Sequence, residues 1–177
     1  MTLYLVRHPQ PDVAPGLCYG TSDVAVPDAE LARVHAALAQ QNLHRLPVHA
    51  SPLQRCALLA ERLAPGRATL DARLAEMDFG AWELRPWSEI PRSDIDAWAA
   101  DLLHYRPGGA ENVLDMAHRV QAFADEMRGA SALVVCHAGT IRLLTALHGG
   151  VPLEQAALRA AQTPHRIGYG QLVVLGV

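Results

Sequence analysis

The chain lacks any apolar run that approaches the roughly 20 residues a helix needs to cross a bilayer, so no membrane span is expected. It also lacks a basic excess: 18 acidic side chains outnumber 15 basic ones, and the formal net charge is −3. That balance argues against nucleic acid as a partner. The first residues show no charged leader followed by an apolar segment and a small-residue cleavage site, which predicts a cytoplasmic protein.

Cysteine pairs and metal-binding motifs are also missing. Cys18, Cys56 and Cys136 make an odd count without a Cys-x-x-Cys pair, which predicts reduced thiols. The histidines stand singly, with no HExxH and no His-x-His, so neither a metal ion nor another cofactor is expected. The chain has no repeats and no low-complexity tracts. Its 177 residues, half of them hydrophobic, predict one globular domain over residues 1–177.

Short apolar runs alternate with amphipathic stretches along the chain. Strands are predicted at residues 3–6, 48–50, 68–70, 132–136 and 167–175. Helices are predicted at residues 28–43, from 52 onward, late in 86–105, at 113–127 and at 141–148. Ser51-Pro52-Leu53-Gln54 has the pattern of a capping box that opens the second of these helices. The alternation predicts an α/β fold, a three-layer α/β/α sandwich with a mostly parallel central sheet.

Two of the predicted strands are followed by histidine. His8 precedes a proline, a context that favours extended backbone at a strand end, and His137 directly follows the run 132–136. Ligands bind at the carboxyl ends of strands in open α/β sheets, so His8 and His137 are expected to face one pocket. Arg7 precedes His8, and Arg55 lies in the first turn of a helix, where free amides favour anions. These residues together predict a site for a compact anion.

Phosphate accounts for this set of side chains. Phosphoryl transfer requires charge neutralisation on three oxygens and a nucleophile in line with the bond that breaks. The two arginines supply the first requirement, and His8, kept neutral by neighbouring cations, supplies the second. Glu76 is the candidate acid that protonates the leaving oxygen. The sequence therefore predicts a phosphatase that acts on a small phosphorylated substrate.

Four motifs, in order along the chain, resemble those of the histidine phosphatase (phosphoglycerate mutase-like) superfamily. They are Leu5-Val6-Arg7-His8 and residues 51–57 (SPLQRCA), 76–83 (EMDFGAWE) and 135–139 (VCHAG). The resemblance implies a metal-independent phosphoric monoester hydrolase with a phosphohistidine at His8. It further implies a phosphate pocket of Arg7, Arg55 and His137, with Glu76 as proton donor. Substrate contacts are expected at Tyr19, Gly20 and Ala138.

Within the superfamily, residues 9–23 and 76–87 are most similar to alpha-ribazole phosphatase, which removes the 5′-phosphate of a benzimidazole nucleotide in cobalamin assembly. A broad-specificity phosphatase and a phosphoglycerate mutase-like enzyme are the alternatives. The chain departs from the family pattern at Pro9, at Ala14, at Leu84 and in Gly109-Ala110-Glu111, which replaces Gly-Glu-Ser. The first two departures concern the phosphate pocket and the others the substrate side. Trp82 and Trp87 are expected to pack in the core, although either has a ring suited to stacking on a base.

Two other hypotheses compete with a histidine nucleophile. Cys136-x-x-Gly139-x-x-Arg142 has the spacing of cysteine-dependent phosphatases, but Cys136 also continues an apolar run as a small hydrophobe. An inactive module that binds phosphorylated ligands would need the arginines, but neither His8 nor Glu76. The apolar tail is equally compatible with a homodimer contact and with an internal edge strand.

Overall fold

A five-stranded sheet forms the centre of the computed structural model, which describes residues 2–164 and 166–176. Its strands are β1 (Thr2–Arg7), β2 (Val48–Ala50), β3 (Thr69–Leu70), β4 (Ala132–Cys136) and β5 (Leu172–Gly176). Their order is β3-β2-β4-β1-β5. The first four strands run parallel, and β5 pairs antiparallel with β1 at the edge. The predicted mostly parallel sheet is confirmed.

Helices cover both faces of the sheet. They are α1 (Asp28–Ala39), α2 (Gln54–Leu63), α3 (Arg92–Ala100), α4 (Val113–Glu126), α5 (Ala138–His148) and α6 (Leu153–Gln162). The helices α4, α5 and α6 share one hydrophobic cluster with the sheet, and α1 and α2 share a second cluster on the opposite face. This is the predicted three-layer arrangement. None of the helices in the described ranges is long and apolar enough to span a bilayer.

The side chains of β4 show why this strand lies at the centre. All five of its residues are buried. Leu133 and Val135 belong to the cluster under α1 and α2, whereas Val134 and Cys136 belong to the cluster under α4 and α5. Successive side chains of a strand point to opposite faces, so a continuous apolar run marks a strand that is covered on both sides. Each fully buried Leu or Val contributes roughly 1.5–3 kcal/mol to this packing.

The predicted capping box at the start of α2 is wrong. The helix begins at Gln54, and its backbone N–H donates to Asp23 Oδ1 at 2.7 Å, so the cap comes from a distant loop. Ser51 is not the N-cap residue of α2: its hydroxyl accepts the Leu53 N–H at 3.4 Å and is hydrogen-bonded more closely to His137 Nε2, at 2.8 Å. A side chain that the sequence assigned to helix initiation therefore belongs to the site described below.

Several element boundaries also differ from the predictions. The helix α5 begins at Ala138, three residues before the predicted start, and β5 begins only at Leu172. The helix α6 was not predicted at all. Its buried face consists of Ala156, Ala157 and Ala160, whose methyl groups give a weaker apolar signal than leucine or valine.

The sheet order brings the two histidine-bearing strand ends together. In the ladder between β1 and β4, Arg7 lies opposite Cys136, and the His8 backbone N–H donates to the Cys136 carbonyl at 2.9 Å. The strand β2 flanks β4 on its other side, so the start of α2 reaches the same edge. The carboxyl ends of β1, β4 and β2 thus border one crevice, where open α/β sheets bind their ligands.

Candidate active site

A cavity of about 420 Å³ lies at the carboxyl ends of β1 and β4. All five residues predicted to carry the chemistry line it: Arg7, His8, Arg55, Glu76 and His137. They come from four separate segments of the chain, because only Arg7 and His8 are adjacent. The sheet topology, and not proximity in sequence, therefore assembles the polar end of this cavity.

The ring of His8 is held in one tautomer. Its Nδ1 lies 2.7 Å from the Pro9 carbonyl oxygen. A carbonyl only accepts hydrogen bonds, so Nδ1 carries the proton and Nε2 carries the lone pair. The side chain is 3% exposed, and its ring centroid lies 5.2 Å from that of His137. His8 is thus a buried, oriented imidazole whose Nε2 has nucleophilic character.

The guanidinium of Arg7 is held by the segment that precedes β5. Its Nη1 donates to the Ile167 carbonyl at 2.6 Å. The Tyr169 ring lies under the same group, with 3.8 Å between the guanidinium carbon and the ring centroid. This distance is well inside the range of a cation–π contact. Arg7 is therefore fixed on two sides by residues from the far end of the sequence.

Arg55 is fully buried and is held by the loop that follows β1. Its Nη2 donates to the Gly20 carbonyl at 2.5 Å and its Nη1 to the Ser22 carbonyl at 2.7 Å. Within the described residues, the Nε atoms of Arg7 and Arg55 are buried and have no hydrogen-bond partner. A buried donor without a partner costs about 1–3 kcal/mol. An oxyanion in the cavity is the acceptor that two such guanidinium groups would favour.

Glu83 organises the loop that holds Arg55. Its carboxylate accepts hydrogen bonds from the backbone N–H groups of Gly20, Thr21 and Ser22 at 3.0–3.2 Å. Burial alone would raise the pKa of Glu83, but these bonds, the Ser22 hydroxyl and the Phe79 N–H outweigh it and hold the pKa below its ordinary value. Sequence reasoning missed this role because the loop and the carboxylate lie about 60 residues apart.

His137 lies behind the ring of His8 and is neutral. Its Nε2 is 2.8 Å from the Ser51 hydroxyl and 3.5 Å from Cys56 Sγ. Burial lowers the pKa of His137 well below its ordinary value, and the neighbouring His8 ring and Arg55 guanidinium lower it further. The residue directly precedes α5, and the first two residues of that helix, Ala138 and Gly139, line the cavity.

The carboxylate of Glu76 is held by two backbone amides. Its Oε1 accepts from the Met77 N–H at 3.1 Å, and its Oε2 accepts from the Gly139 N–H at 3.0 Å. A Cβ atom at position 139 would overlap Glu76 Oε1, so the close approach requires glycine. Glu76 therefore sits at the start of α5, within the same cavity as the two histidines.

The three residues predicted to contact substrate differ in their placement. Tyr19 and Ala138 line the cavity, but Gly20 is not part of the described lining. The Gly20 N–H donates to Glu83, and its carbonyl accepts from Arg55. The Tyr19 hydroxyl lies 3.0 Å from that of Tyr169. Burial and this bond raise the pKa of Tyr19 above its ordinary value, so the hydroxyl keeps its proton.

The other end of the cavity is aromatic and apolar. Trp87 and Trp98 are stacked with an interplanar angle of 9°, and Phe79 meets each of them edge-on at about 6 Å. Further apolar side chains complete this wall: Leu17, Met77, Leu102, Val113 and Met116. Trp82 packs in the small core behind the wall, as predicted, whereas Trp87 is 39% exposed at its edge.

The cysteine-nucleophile hypothesis is wrong. Cys136 is fully buried within β4, and burial raises the pKa of its thiol well above the ordinary value. The arginine of the motif, Arg142, donates to the carbonyls of Ala160 and Ala161 at the end of α6. A nucleophilic cysteine needs a lowered pKa and access to the ligand, and this thiol has neither. All three cysteines are free thiols, as predicted.

Comparison with known proteins identifies the chain's relatives. The model of the histidine phosphatase superfamily (branch 1) matches residues 3–167. The adenosylcobalamin/alpha-ribazole phosphatase of Salmonella typhimurium is 28% identical over 165 residues, which cover 82% of this chain and 78% of that protein. A bifunctional protein of Mycobacterium tuberculosis is 36% identical over 110 residues, 56% of this chain. The matched region spans only 30% of the length of that mycobacterial relative.

Solved structures share the fold. The alpha-ribazole phosphatase from Shigella flexneri superposes with a TM-score of 0.76 at 25% identity, covering 98% of this chain and 89% of that one. A mycobacterial glucosyl-3-phosphoglycerate phosphatase superposes with a TM-score of 0.79 at 22% identity, covering 98% and 90%. At 22% identity, the likeness to the glucosyl-3-phosphoglycerate phosphatase shows a shared fold alone.

Proposed function

Because the chain belongs to the histidine phosphatase superfamily (branch 1), we propose that it hydrolyses phosphomonoesters through a phosphohistidine on His8. The observation that carries the proposal is the bond from His8 Nδ1 to the Pro9 carbonyl. It leaves the lone pair on Nε2, inside a cavity that also contains the guanidinium groups of Arg7 and Arg55. Attack by a neutral imidazole on a phosphoryl group requires this combination.

The reaction has two steps. In the first, His8 Nε2 attacks phosphorus, the P–N bond forms, and the ester P–O bond breaks. Arg7 and Arg55 stabilise the charge on the phosphoryl oxygens, and Glu76 donates a proton to the departing oxygen. In the second step, Glu76 takes a proton from water, the oxygen attacks phosphorus, and the P–N bond breaks. Inorganic phosphate leaves, and the neutral imidazole of His8 is restored. No step requires a metal ion.

For the substrate, we propose alpha-ribazole 5′-phosphate, on the pathway of cobalamin assembly. Two kinds of support converge: the names of the relatives from Salmonella typhimurium and Shigella flexneri, and the aromatic end of the cavity. Phe79, Trp87 and Trp98 offer ring faces and edges that suit a flat, uncharged base. A small polyanion such as 3-phosphoglycerate would leave this apolar wall unused. A broad-specificity phosphatase that accepts aryl and alkyl esters alike is the second candidate.

The first experiment tests the nucleophile with p-nitrophenyl phosphate in the presence of EDTA. We expect turnover in the wild type, loss of at least 10³-fold in His8→Ala, and little change in Cys136→Ser. Trapped phosphoenzyme should be labile to acid and stable to alkali, which is the signature of a P–N bond. Absence of turnover in the wild type would instead favour the inactive module that binds phosphorylated ligands.

The second experiment tests the substrate. Initial rates are compared for alpha-ribazole 5′-phosphate, 3-phosphoglycerate and a simple alkyl phosphate. We expect kcat/KM for the ribazole ester to exceed the others by at least 100-fold. The variant Trp98→Leu removes one ring of the aromatic wall. It should reduce the preference for the ribazole ester while leaving the rate on the simple alkyl ester nearly constant. Comparable rates on all three esters would refute the specific assignment and leave the phosphatase chemistry intact.

A further inference from the structure

An ion pair outside the cavity is bonded to the main chain that carries Glu76. Arg119 lies on α4, and both of its terminal nitrogens face the segment of residues 73–76. Its Nη1 donates to the Ala75 carbonyl at 2.7 Å, and its Nη2 donates to the Glu76 carbonyl at 3.0 Å. A single guanidinium thus bonds to two consecutive peptide groups at the position of the proposed proton donor.

Glu111 completes this arrangement from the other side. Its carboxylate forms a two-point bond with Arg119, at 2.7 Å to Nε and 2.9 Å to Nη2. The same carboxylate accepts the Asp78 N–H at 3.1 Å, and the Glu111 N–H donates to the Asp78 carbonyl. The pair therefore binds the main chain before, at and after Glu76. Side-chain exposure of only 21% for Arg119 and 16% for Glu111 makes these bonds stronger than surface pairs.

Residues 75–78 have no helix or strand of their own to fix them. The segment runs between a short 3₁₀ turn at Ala72–Leu74 and another at Gly80–Trp82. On its cavity side, the segment is held through the Glu76 carboxylate and by the Thr140 hydroxyl, which bonds to the carbonyls of Leu74 and Ala75. Away from the cavity, Glu111 and Arg119 hydrogen-bond to the main chain of the segment.

We propose that the Glu111–Arg119 pair positions Glu76 for proton transfer. The pair thereby supports the rate on esters with poor leaving groups more than the rate on esters with good ones. The inference rests on the proposed function, because it assumes that Glu76 protonates the leaving oxygen. Protonation matters most when the leaving group is a strongly basic alkoxide and least when it is a stable nitrophenolate. A shift of about 1 Å in a catalytic group costs on the order of 100-fold in rate.

The test compares two esters that share an aromatic body, p-nitrophenyl phosphate and 2-phenylethyl phosphate. The variants are Arg119→Met, Arg119→Lys and Glu111→Gln, with Arg128→Met as a matched control in an exposed ion pair beyond the end of α4. We expect kcat/KM on the alkyl ester to fall about 10- to 100-fold and that on the nitrophenyl ester less than about 3-fold. Inhibition by inorganic phosphate should stay constant, because Arg7 and Arg55 are untouched.

A double variant separates positioning from general damage to the fold. Glu76→Gln alone should show the same leaving-group selectivity, and Arg119→Met added to it should cause no further loss. Should Arg119→Met fail to fold, the milder Glu111→Gln and Arg119→Lys carry the same expectation. Equal losses on both esters, or additive losses in the double variant, would overturn the inference while leaving the phosphohistidine mechanism in place. If Glu76→Gln instead lowers kcat/KM equally on both esters, Glu76 is not the proton donor, and that part of the proposed function is refuted.

Discussion

Replacement of Glu83 by glutamine tests how the phosphate end of the cavity is held. The wild-type carboxylate accepts bonds from four backbone N–H groups, those of Gly20, Thr21, Ser22 and Phe79, and from the Ser22 hydroxyl. Glutamine keeps one carbonyl oxygen but turns an NH₂ group toward some of these donors. The loop at residues 20–22 would then lose its shared acceptor, and the carbonyls that hold Arg55 would lose their support.

The expected loss of stability follows from the bonds. A hydrogen bond to a charged group contributes about 1.5–3 kcal/mol, and Glu83 is only half-buried, so solvent reduces the value of each bond. Loss of the charge together with two of the bonds gives about 3 kcal/mol. For a domain of this size, each kcal/mol lowers Tm by roughly 2–4 °C, so the variant should melt about 6–12 °C lower.

The pH dependence provides an independent check of the same carboxylate. Because the pKa of Glu83 is lower in the folded state than its ordinary value of 4.5, its contribution is complete above that value. The contribution is lost as the pH falls through the folded-state pKa. The difference in Tm between wild type and Glu83→Gln should therefore be largest at neutral pH and should shrink in acid.

Calorimetric or circular-dichroism melts between about pH 3.5 and 7 measure this difference, with the exposed Glu154→Gln as the matched control. Inhibition by inorganic phosphate, measured beside the melts, should weaken several-fold in Glu83→Gln because Arg55 loses its fixed position. Either a variant that melts at the wild-type Tm, or a Tm difference that stays the same from neutral to acid pH, would refute the assignment of Glu83 as the organiser of the loop.

Three further substitutions have definite expected outcomes. Tyr169→Leu removes the ring under Arg7, a contact of about 0.5–2 kcal/mol, so the inhibition constant for inorganic phosphate should rise about 2- to 30-fold; an unchanged constant would contradict that role. Gly139→Ala forces a methyl group against the Glu76 carboxylate, and kcat/KM on alkyl phosphates should fall at least about 10-fold with Tm nearly unchanged. Leu84 has φ = 60°. Leu84→Gly should raise the free energy of unfolding by about 0.5–1 kcal/mol in denaturant titrations, since relief of roughly 1–2 kcal/mol of strain exceeds the added chain entropy.

The main residues of the site were accessible to sequence reasoning because simple rules place them. His8 and His137 directly follow apolar runs, and parallel strands bring their carboxyl ends to one edge of the sheet. These inferences needed only strand ends and local backbone preferences.

The parts that sequence reasoning missed depend on contacts between distant segments. Ser51 looked like a helix cap, but it bonds to His137, which lies 86 residues further along the chain. The roles of Glu83 and Arg119 depend on backbone groups that any residue would present, so no side-chain pattern reveals them. The helix α6 escaped detection because alanines form its buried face.

The edge position of β5 links the candidate phosphate site to one of the two edges of the sheet. Among the described residues, this strand pairs only with β1, and the segment just before it supplies the Ile167 carbonyl and the Tyr169 ring to Arg7. Edge strands open locally at a lower free energy than central ones. Fraying of this edge would release the guanidinium while α4, α5 and the central strands remain folded. Mild denaturant should therefore abolish phosphate release before the bulk of the protein unfolds.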